Sequence, residues 1–249
     1  MRRYNQDGGA MRVTHNPGRV AGLWYLLLIV TGPLFLIYIP SKLFVEGNAA
    51  ATVNNIAAHE WLFRVGIVDE LVGGVLLIFL VLALYRLFKG LDQYLAVLVV
   101  IFGGLMPAII YFVDVVNDAG VLIVARSGTG FLAVFDKPQR DALALLFLRL
   151  HAFQVTATML LAGVWLFPLA LLVYRSRFLP RFLGIWLAIA GCGYVVLFFT
   201  GMLLPEYQDK VFRICQPAFL GEIAFMLWLV VKGAKPTALT PAAPLSAAG

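Results

Sequence analysis

The sequence predicts an all-α integral membrane protein, a bundle of six membrane-spanning helices with the N- and C-termini in the cytoplasm. Hydrophobic residues make up 62% of the 249 residues and charged residues 13%, against about 25% charged in a soluble domain. The mean hydropathy is +0.92. Apolar stretches that reach the roughly 20 residues needed to cross a bilayer recur along nearly the whole chain. One membrane domain therefore uses most of its length.

The predicted spans are joined by short loops and flanked by polar tails. We place them at residues 20–40, 61–85, 93–115, 146–174, 182–204 and 212–232. Residues 1–18 are predicted to form a cytoplasmic polar tail, residues 19–232 the membrane domain, and residues 233–249, rich in Pro, Ala and Thr, a disordered cytoplasmic tail. The first apolar run exceeds the 7–15 residues or so of a signal-peptide core. Gly32-Pro33 interrupts it, which predicts an uncleaved span with a kink.

The distribution of charge predicts the orientation. Of the 19 Lys and Arg residues, 11 lie in the N-terminal tail, the second and fourth loops and the C-terminal tail, where Asp7 and Asp92 are the acidic residues. The positive-inside rule then places both termini in the cytoplasm, with an even number of spans across the cell membrane. The net charge of +6 thus reflects topology. The expected partner is the lipid bilayer, and nucleic acid is excluded.

Local signals predict helix starts and loops. Asn16-Pro17-Gly18 reads as a turn, Asn48 as an N-cap, and Asp136 to Gln139 as a capping box. Cys192 and Cys215 lie at different predicted depths, so we expect two free thiols.

Similar short motifs open several of the spans. Residues 19–24 (RVAGLW) and 181–186 (RFLGIW) begin spans one and five, and a Phe close to an Arg enters spans two, four and six. These matches predict a pseudo-repeat of three hairpins, as in many transporters. Arginine beside phenylalanine is also an ordinary membrane-edge anchor, so the alternative of no repeat stays open.

The second span is unusual because it carries Arg64, Asp69 and Glu70 within an apolar helix. An Asp or Arg at the bilayer centre costs roughly 2.5–3.5 kcal/mol on insertion scales, so such residues usually pair or line a watery cavity. Helical spacing places Glu70 on one face with His59 and with glycines at 66 and 73. Asp69 points to one side of that face.

Two further polar faces lie toward the same side of the membrane. Asp114, Asn117 and Asp118 share one face of span three, and His151, Gln154 and Thr158 share one face of span four. Glu222 lies in the middle of span six. We therefore predict an outward-facing pocket that binds or transports a small polar or cationic solute or protons, lined by Asp69, Glu70, Asp114, Asp118, His151 and Glu222.

Two alternatives stay open. In one, the protein is an intramembrane metal-assisted hydrolase, with His59 and His151 as ligands and Glu70 as acid and base. In the other, the role is structural or partner-binding, and Arg64 and Arg149 form ion pairs with carboxylates of other helices. The chain contains no HExxH, GxSxG, Walker or CxxC motif. It therefore indicates no particular cofactor or catalytic residue.

Several segments resemble an uncharacterised family of polytopic bacterial membrane proteins, the domain of unknown function 4386. They are residues 19–24, 39–43, 57–74, 107–118, 135–144 and 148–151. The Asn117-Asp118 pair and the 136–139 segment are the most specific. The resemblance covers roughly residues 18–232 and implies a six-span membrane protein. It implies no activity, cofactor or catalytic residue, and it makes Gln154 a weaker candidate because positions after His151 vary.

Overall fold

The computed structural model describes residues 16–45, 47–126 and 130–235. Within them the chain is helical and contains no strand. Its α-helices are α1 (Pro17–Pro33), α2 (Ile39–Leu43), α3 (Ala49–Ala58), α4 (Glu60–Phe88), α5 (Gln93–Val100), α6 (Met106–Ala125), α7 (Lys137–Val164), α8 (Leu166–Arg175), α9 (Arg181–Leu203) and α10 (Gln208–Val231). Most of both predicted tails lies outside the described residues.

Five helical segments of the described chain are long and apolar enough to cross a bilayer. They are Glu60–Phe88, Gln93–Ala125, Lys137–Arg175, Arg181–Leu203 and Pro205–Val231. The prediction of an all-α, multi-pass membrane protein is therefore confirmed. The first predicted span begins with α1, whose apolar part, Pro17–Gly32, is shorter than these five segments. The chain then continues through a π-helical turn into α2. The count of six spans stays a prediction.

Side-chain caps mark the starts of α1, α3, α5 and α7. The Asn16 side chain accepts from the N–H groups of Gly18 and Arg19. The segment predicted as a turn is therefore the start of α1, because a proline at the first helical position has no N–H to satisfy. Asn48 caps α3 and Asp136 forms a capping box with Gln139, both as predicted.

Prolines account for the irregular turns inside the long helices. The π-helical turns Leu34–Tyr38 and Ile101–Leu105 come just before Pro40 and Pro107. The break between α7 and α8 comes just before Pro168. A proline lacks the N–H that would bond to the carbonyl four residues earlier, so the regular ladder is interrupted at each place.

The apolar interior is divided into two clusters along α4. One cluster surrounds Leu77 and Leu80 and extends to α1, α5, α8, α9 and α10. The other contains Phe63 and joins α2, α3, α6 and α7. Glu70 lies on the same face of α4, between Phe63 and Leu77. The packing thus leaves a polar level between two apolar cores.

The outer surface of the bundle is apolar, as a lipid-facing surface should be. On α6, for example, Ile109, Phe112 and Val116 are all more than half exposed. In water such a band would be an association surface, but in a bilayer it is solvated by acyl chains. Cys192 and Cys215 are free thiols, which confirms that prediction.

Candidate functional site

Three helices bring Glu70, Asp118 and His151 together in the interior. One ligand atom of each of these residues lies within 4.8 Å of the others. His151 Nδ1 is 3.2 Å from Asp118 Oδ1 and 3.9 Å from an oxygen of Asp114. We call Glu70, Asp114, Asp118 and His151 the carboxylate–histidine cluster.

The periodicity of the helices explains why these side chains meet. Asp114 and Asp118 are one turn apart on α6, so both point toward α7. Glu70 lies on the α4 face that also buries Phe63, Gly66 and Gly73. The three carboxylates are almost fully buried, with 5% of Glu70, 1% of Asp114 and 4% of Asp118 exposed.

Amide side chains join α6 to α7 beside the cluster. Asn117 Nδ2 donates to Gln154 Oε1 at 3.3 Å, and Gln154 Nε2 donates to the Ile110 carbonyl at 3.2 Å. Asn117 also donates to Asp114 at 3.5 Å. Gln154, which the resemblance had made a weaker candidate, therefore contributes to the surroundings of the site.

One oxygen of the cluster lacks a hydrogen bond. Glu70 Oε2 is buried and has no donor among the described residues. An unsatisfied buried acceptor costs roughly 1–3 kcal/mol, and more when it is charged. A buried oxygen without a donor calls for a physical explanation, such as a bound ion, a water molecule or a proton.

The arginines named as ion-pair candidates do not neutralise this cluster. Arg64 pairs with Glu60 on its own helix at 2.8 Å, and Arg126 binds the same carboxylate at 2.6 Å. Arg149 is exposed and, in the described part of the chain, has no carboxylate within ion-pair distance. The ion-pair role predicted for it is therefore not supported. A site carboxylate as partner for Arg64 is likewise not found.

A cavity leads to the cluster. It has a volume of about 250 Å³ and is bordered by Asp118 and His151 on one side. Its other walls are mostly apolar and come from α2, α4 and α7, among them Ile39, Phe63 and Leu148. The cavity is thus a mostly apolar space that meets two members of the cluster, Asp118 and His151.

The remaining predicted site residues lie elsewhere. Asp69 is half-buried and does not join the cluster. His59 ends α3 in an exposed position with its Nδ1 3.1 Å from the Asn55 carbonyl, so the predicted pair of histidine ligands does not form in the described structure. Glu222 lines a different cavity. The single pocket that the sequence predicted is therefore divided in two.

The second cavity, which we call the tyrosine cavity, has a volume of about 450 Å³. Tyr25 donates a hydrogen bond of 2.5 Å to Glu222, and Tyr194 contacts the same carboxylate. The other aromatic side chains that line it are Tyr111, Trp165 and Phe219. Tyr25 and Tyr194 were not identified from the sequence, because a lone tyrosine in an apolar helix carries no motif.

Tyr111 lies between the two sites. It lines the tyrosine cavity and interacts electrostatically with Glu70 and Asp114. Its ring packs close to Gly74 of α4, where a methyl group would already be in contact with it. The two sites therefore share one side chain as a wall.

Comparison with known proteins supports the relationship inferred from the sequence. A protein from Archaeoglobus fulgidus with the name "Uncharacterized protein" is 37% identical over 73 residues, which is 29% of this chain and 42% of that relative. The chain thus matches less than half of the relative's length. No solved structure matches the chain. The sequence profile described as "Domain of unknown function (DUF4386)" matches residues 20–233, and the chain belongs to this family.

Proposed function

We propose that this membrane protein binds a divalent transition-metal ion at Glu70, Asp118 and His151, with Asp114 as an additional oxygen ligand. The observation that carries the proposal is the convergence of three ligand atoms within 4.8 Å from three separate helices. Ligand atoms that share a zinc ion at about 2.0–2.2 Å in tetrahedral geometry lie about 3.3–3.6 Å from one another. The side chains of the cluster would therefore have to close by about 1 Å to coordinate an ion.

The charge of the cluster supports a cation as the ligand. Three ionised carboxylates place −3 inside a low-dielectric bundle, or −2 when His151 is protonated beside Asp118, and no Lys or Arg of the described chain pairs with them. Intramembrane charges are stable when they pair with one another, with a cation or with water. A divalent ion would offset most of this charge at once.

The donor set indicates the class of metal. Imidazole suits Zn²⁺, Fe²⁺ and related ions, whereas all-oxygen sites suit Mg²⁺ and Ca²⁺. One imidazole with two or three carboxylates therefore favours Zn²⁺, Mn²⁺, Co²⁺ or Fe²⁺ over Mg²⁺. The amides of Asn117 and Gln154 would orient the ligands of α6 and α7, as outer-shell groups commonly do.

The cellular setting is part of the same proposal. The distribution of Lys and Arg supports an even number of spans, which we take to be six, with both termini in the cytoplasm. Glu70 comes 10 residues after Glu60, which is about 15 Å at 1.5 Å per residue. In that orientation Ile39 and Pro40, which border the cavity, lie at the outer end of the first span, so the cavity would open toward the outer side. The protein would then take its ion from outside the cell and bind it within the membrane.

The test is metal titration of the full-length protein purified in a maltoside detergent, with any polyhistidine tag removed. Calorimetry with Zn²⁺, Mn²⁺ and Mg²⁺ should show one saturable site for the first two ions and at least tenfold weaker binding of Mg²⁺. Co²⁺ should give a visible absorption band from the bound ion. His151→Ala should abolish both signals, because it removes the nitrogen ligand.

The chain offers a matched control in its other described histidine. His59→Ala removes an exposed imidazole outside the cluster and should leave affinity and stoichiometry unchanged. Equal binding by the His151→Ala variant and the wild-type protein would contradict the proposal. So would the absence of saturable binding in a wild-type protein that elutes as a single species.

A further inference from the structure

The tyrosine cavity contains a carboxylate that no cation of the described chain neutralises. Among the described residues that line it, Glu222 is the one with a charged side chain, and it accepts hydrogen bonds from the hydroxyl groups of Tyr25 and Tyr194. Two neutral donors stabilise a carboxylate but do not remove its charge. An intramembrane acidic group in this situation is typical of a site that receives a cationic ligand.

The walls of the cavity determine which cation would fit. Tyr25 and Trp165 have ring centroids 6.5 Å apart at an interplanar angle of 60°, and Tyr194 stacks on Phe219 at 4.3 Å. Aromatic faces attract ammonium groups, and recognition of quaternary ammonium ions by aromatic cages is a common use of this effect. A small hydrated metal ion would find few oxygen ligands here.

The rest of the lining is apolar and reaches the surface of the bundle. Leu28, Ile29, Leu77 and Leu80 contribute aliphatic surface. Ile37, which also lines the cavity, is 67% exposed and so faces the bilayer side of the bundle. A ligand with an apolar body could therefore enter from the membrane. The volume of about 450 Å³ lies within the usual range of small-molecule pockets.

We infer that the tyrosine cavity binds a lipophilic organic cation, with its ammonium group between Glu222 and the aromatic rings and its apolar part along α1 and α4. This site is separate from the carboxylate–histidine cluster. It takes a different class of ligand, because one carboxylate surrounded by aromatic rings matches a bulky monovalent cation. The inference does not depend on metal binding.

The experiment compares a cation with an uncharged molecule of the same shape. Benzyltrimethylammonium and its carbon isostere, neopentylbenzene, are titrated calorimetrically into the full-length protein in a maltoside detergent. We expect saturable binding of the ammonium ion at least tenfold tighter than that of the isostere. Equal affinities would show that the cavity binds apolar molecules without recognising their charge, and would overturn the inference.

Substitutions place the binding within the cavity. Glu222→Gln should weaken ammonium binding at least tenfold, whereas Glu206→Gln, an exposed carboxylate just before α10, should not change it. Tyr194→Phe keeps the ring and removes one hydroxyl, so it should retain binding within a few-fold. If Glu222→Gln does not fold, the comparison of the two probes on the wild-type protein still decides.

A last variant separates this inference from the proposed function. His151→Ala removes a ligand of the carboxylate–histidine cluster and should leave ammonium affinity unchanged. A protein that binds the ammonium ion but no metal would contradict only the proposed function. The opposite result would contradict only the present inference. Loss of ammonium binding in the His151→Ala variant would show that the two sites are not separate.

Discussion

The carboxylate–histidine cluster and the tyrosine cavity each place acidic groups inside a membrane bundle, but they surround them differently. In the cluster, Glu70 and Asp118 face each other and His151 with few donors nearby. In the cavity, no second acidic side chain of the described residues accompanies Glu222, which accepts a hydrogen bond from Tyr25. The number of acidic groups and the nature of their neighbours therefore decide which ligand each site can take.

The difference follows from the cost of burying charge. Several carboxylates close together repel one another strongly at low dielectric, so their joint burial is stable only with a multivalent cation or with protons. A single carboxylate can be stabilised by neutral hydroxyl groups and still attract a monovalent ion. The cluster is thus suited to a small ion of high charge, and the cavity to a large ion of low charge.

The strongest test of this comparison is Asp118→Asn, which removes one charge and one ligand from the cluster. Loss of an outer-shell partner alone typically costs 10–100-fold in metal affinity, so loss of a direct ligand should cost about 100-fold or more. Ammonium binding to the tyrosine cavity should change by no more than the roughly fivefold Coulomb coupling expected between the two sites. Calorimetric titration of the same preparation with Zn²⁺ and then with benzyltrimethylammonium checks both.

The matched control is Asp141→Asn on α7. Asp141 is also buried, but it pairs with Lys137 at 2.8 Å and lies outside the cluster. Its replacement should lower stability slightly and leave metal affinity alone. If Asp118→Asn and Asp141→Asn reduced Zn²⁺ affinity equally, the cluster would be no more a metal site than any buried carboxylate.

The two sites also differ in how far the sequence could predict them. The cluster was largely predicted, because Asp114 and Asp118 are one turn apart and helical spacing is visible in a sequence. The prediction of one shared pocket does not describe the structure, because Glu222 lines a different cavity from Glu70. Tyr25, which donates a hydrogen bond to Glu222, is 197 positions away along the chain. No local pattern in a sequence indicates which distant helix packs beside another.

The candidate residues that lie outside the cluster can also be explained physically. His59 shares the helical period of Glu70, but α3 ends at Ala58 and α4 starts at Glu60, so the period does not continue across residue 59. Arg64 pairs with Glu60 of its own helix, because side chains four residues apart lie next to each other on a helix. Helix caps and proline breaks, by contrast, depend only on residues a few positions apart, so they can be predicted from the sequence. The caps at Asn48 and Asp136 were predicted correctly.

A smaller effect is expected from separating α1 and α10, which hold Tyr25 and Glu222. In Gly22→Ala, the added methyl group would lie 2.7 Å from the backbone nitrogen of Val230, so the two helices must move apart. Overpacking of this kind typically costs about 1–3 kcal/mol. Because Tyr25 is one turn from Gly22, the Tyr25 to Glu222 hydrogen bond should lengthen and ammonium binding should weaken several-fold.

Thermal unfolding in detergent and calorimetry measure the two consequences of Gly22→Ala. The control is Gly90→Ala, where the added methyl group meets nothing within 4 Å. It should leave both properties within error of the wild-type protein. Metal affinity should not change in either variant. A Gly22→Ala protein that lost Zn²⁺ binding but kept ammonium binding would reverse the assignment of the two sites.

The smallest expected effect concerns the wall that the sites share at Tyr111. Because both ligands are cations, the first to bind should weaken the second through Coulomb repulsion, by roughly fivefold if the coupling is at the low end of the usual range. Linkage requires the same factor in both directions. Titrating benzyltrimethylammonium with and without saturating Zn²⁺, and Zn²⁺ with and without the ammonium ion, measures it. A factor of one would mean that Tyr111 insulates the sites. Mutual exclusion without limit would mean that the two ligands compete for one site, and the division between cluster and cavity would be wrong.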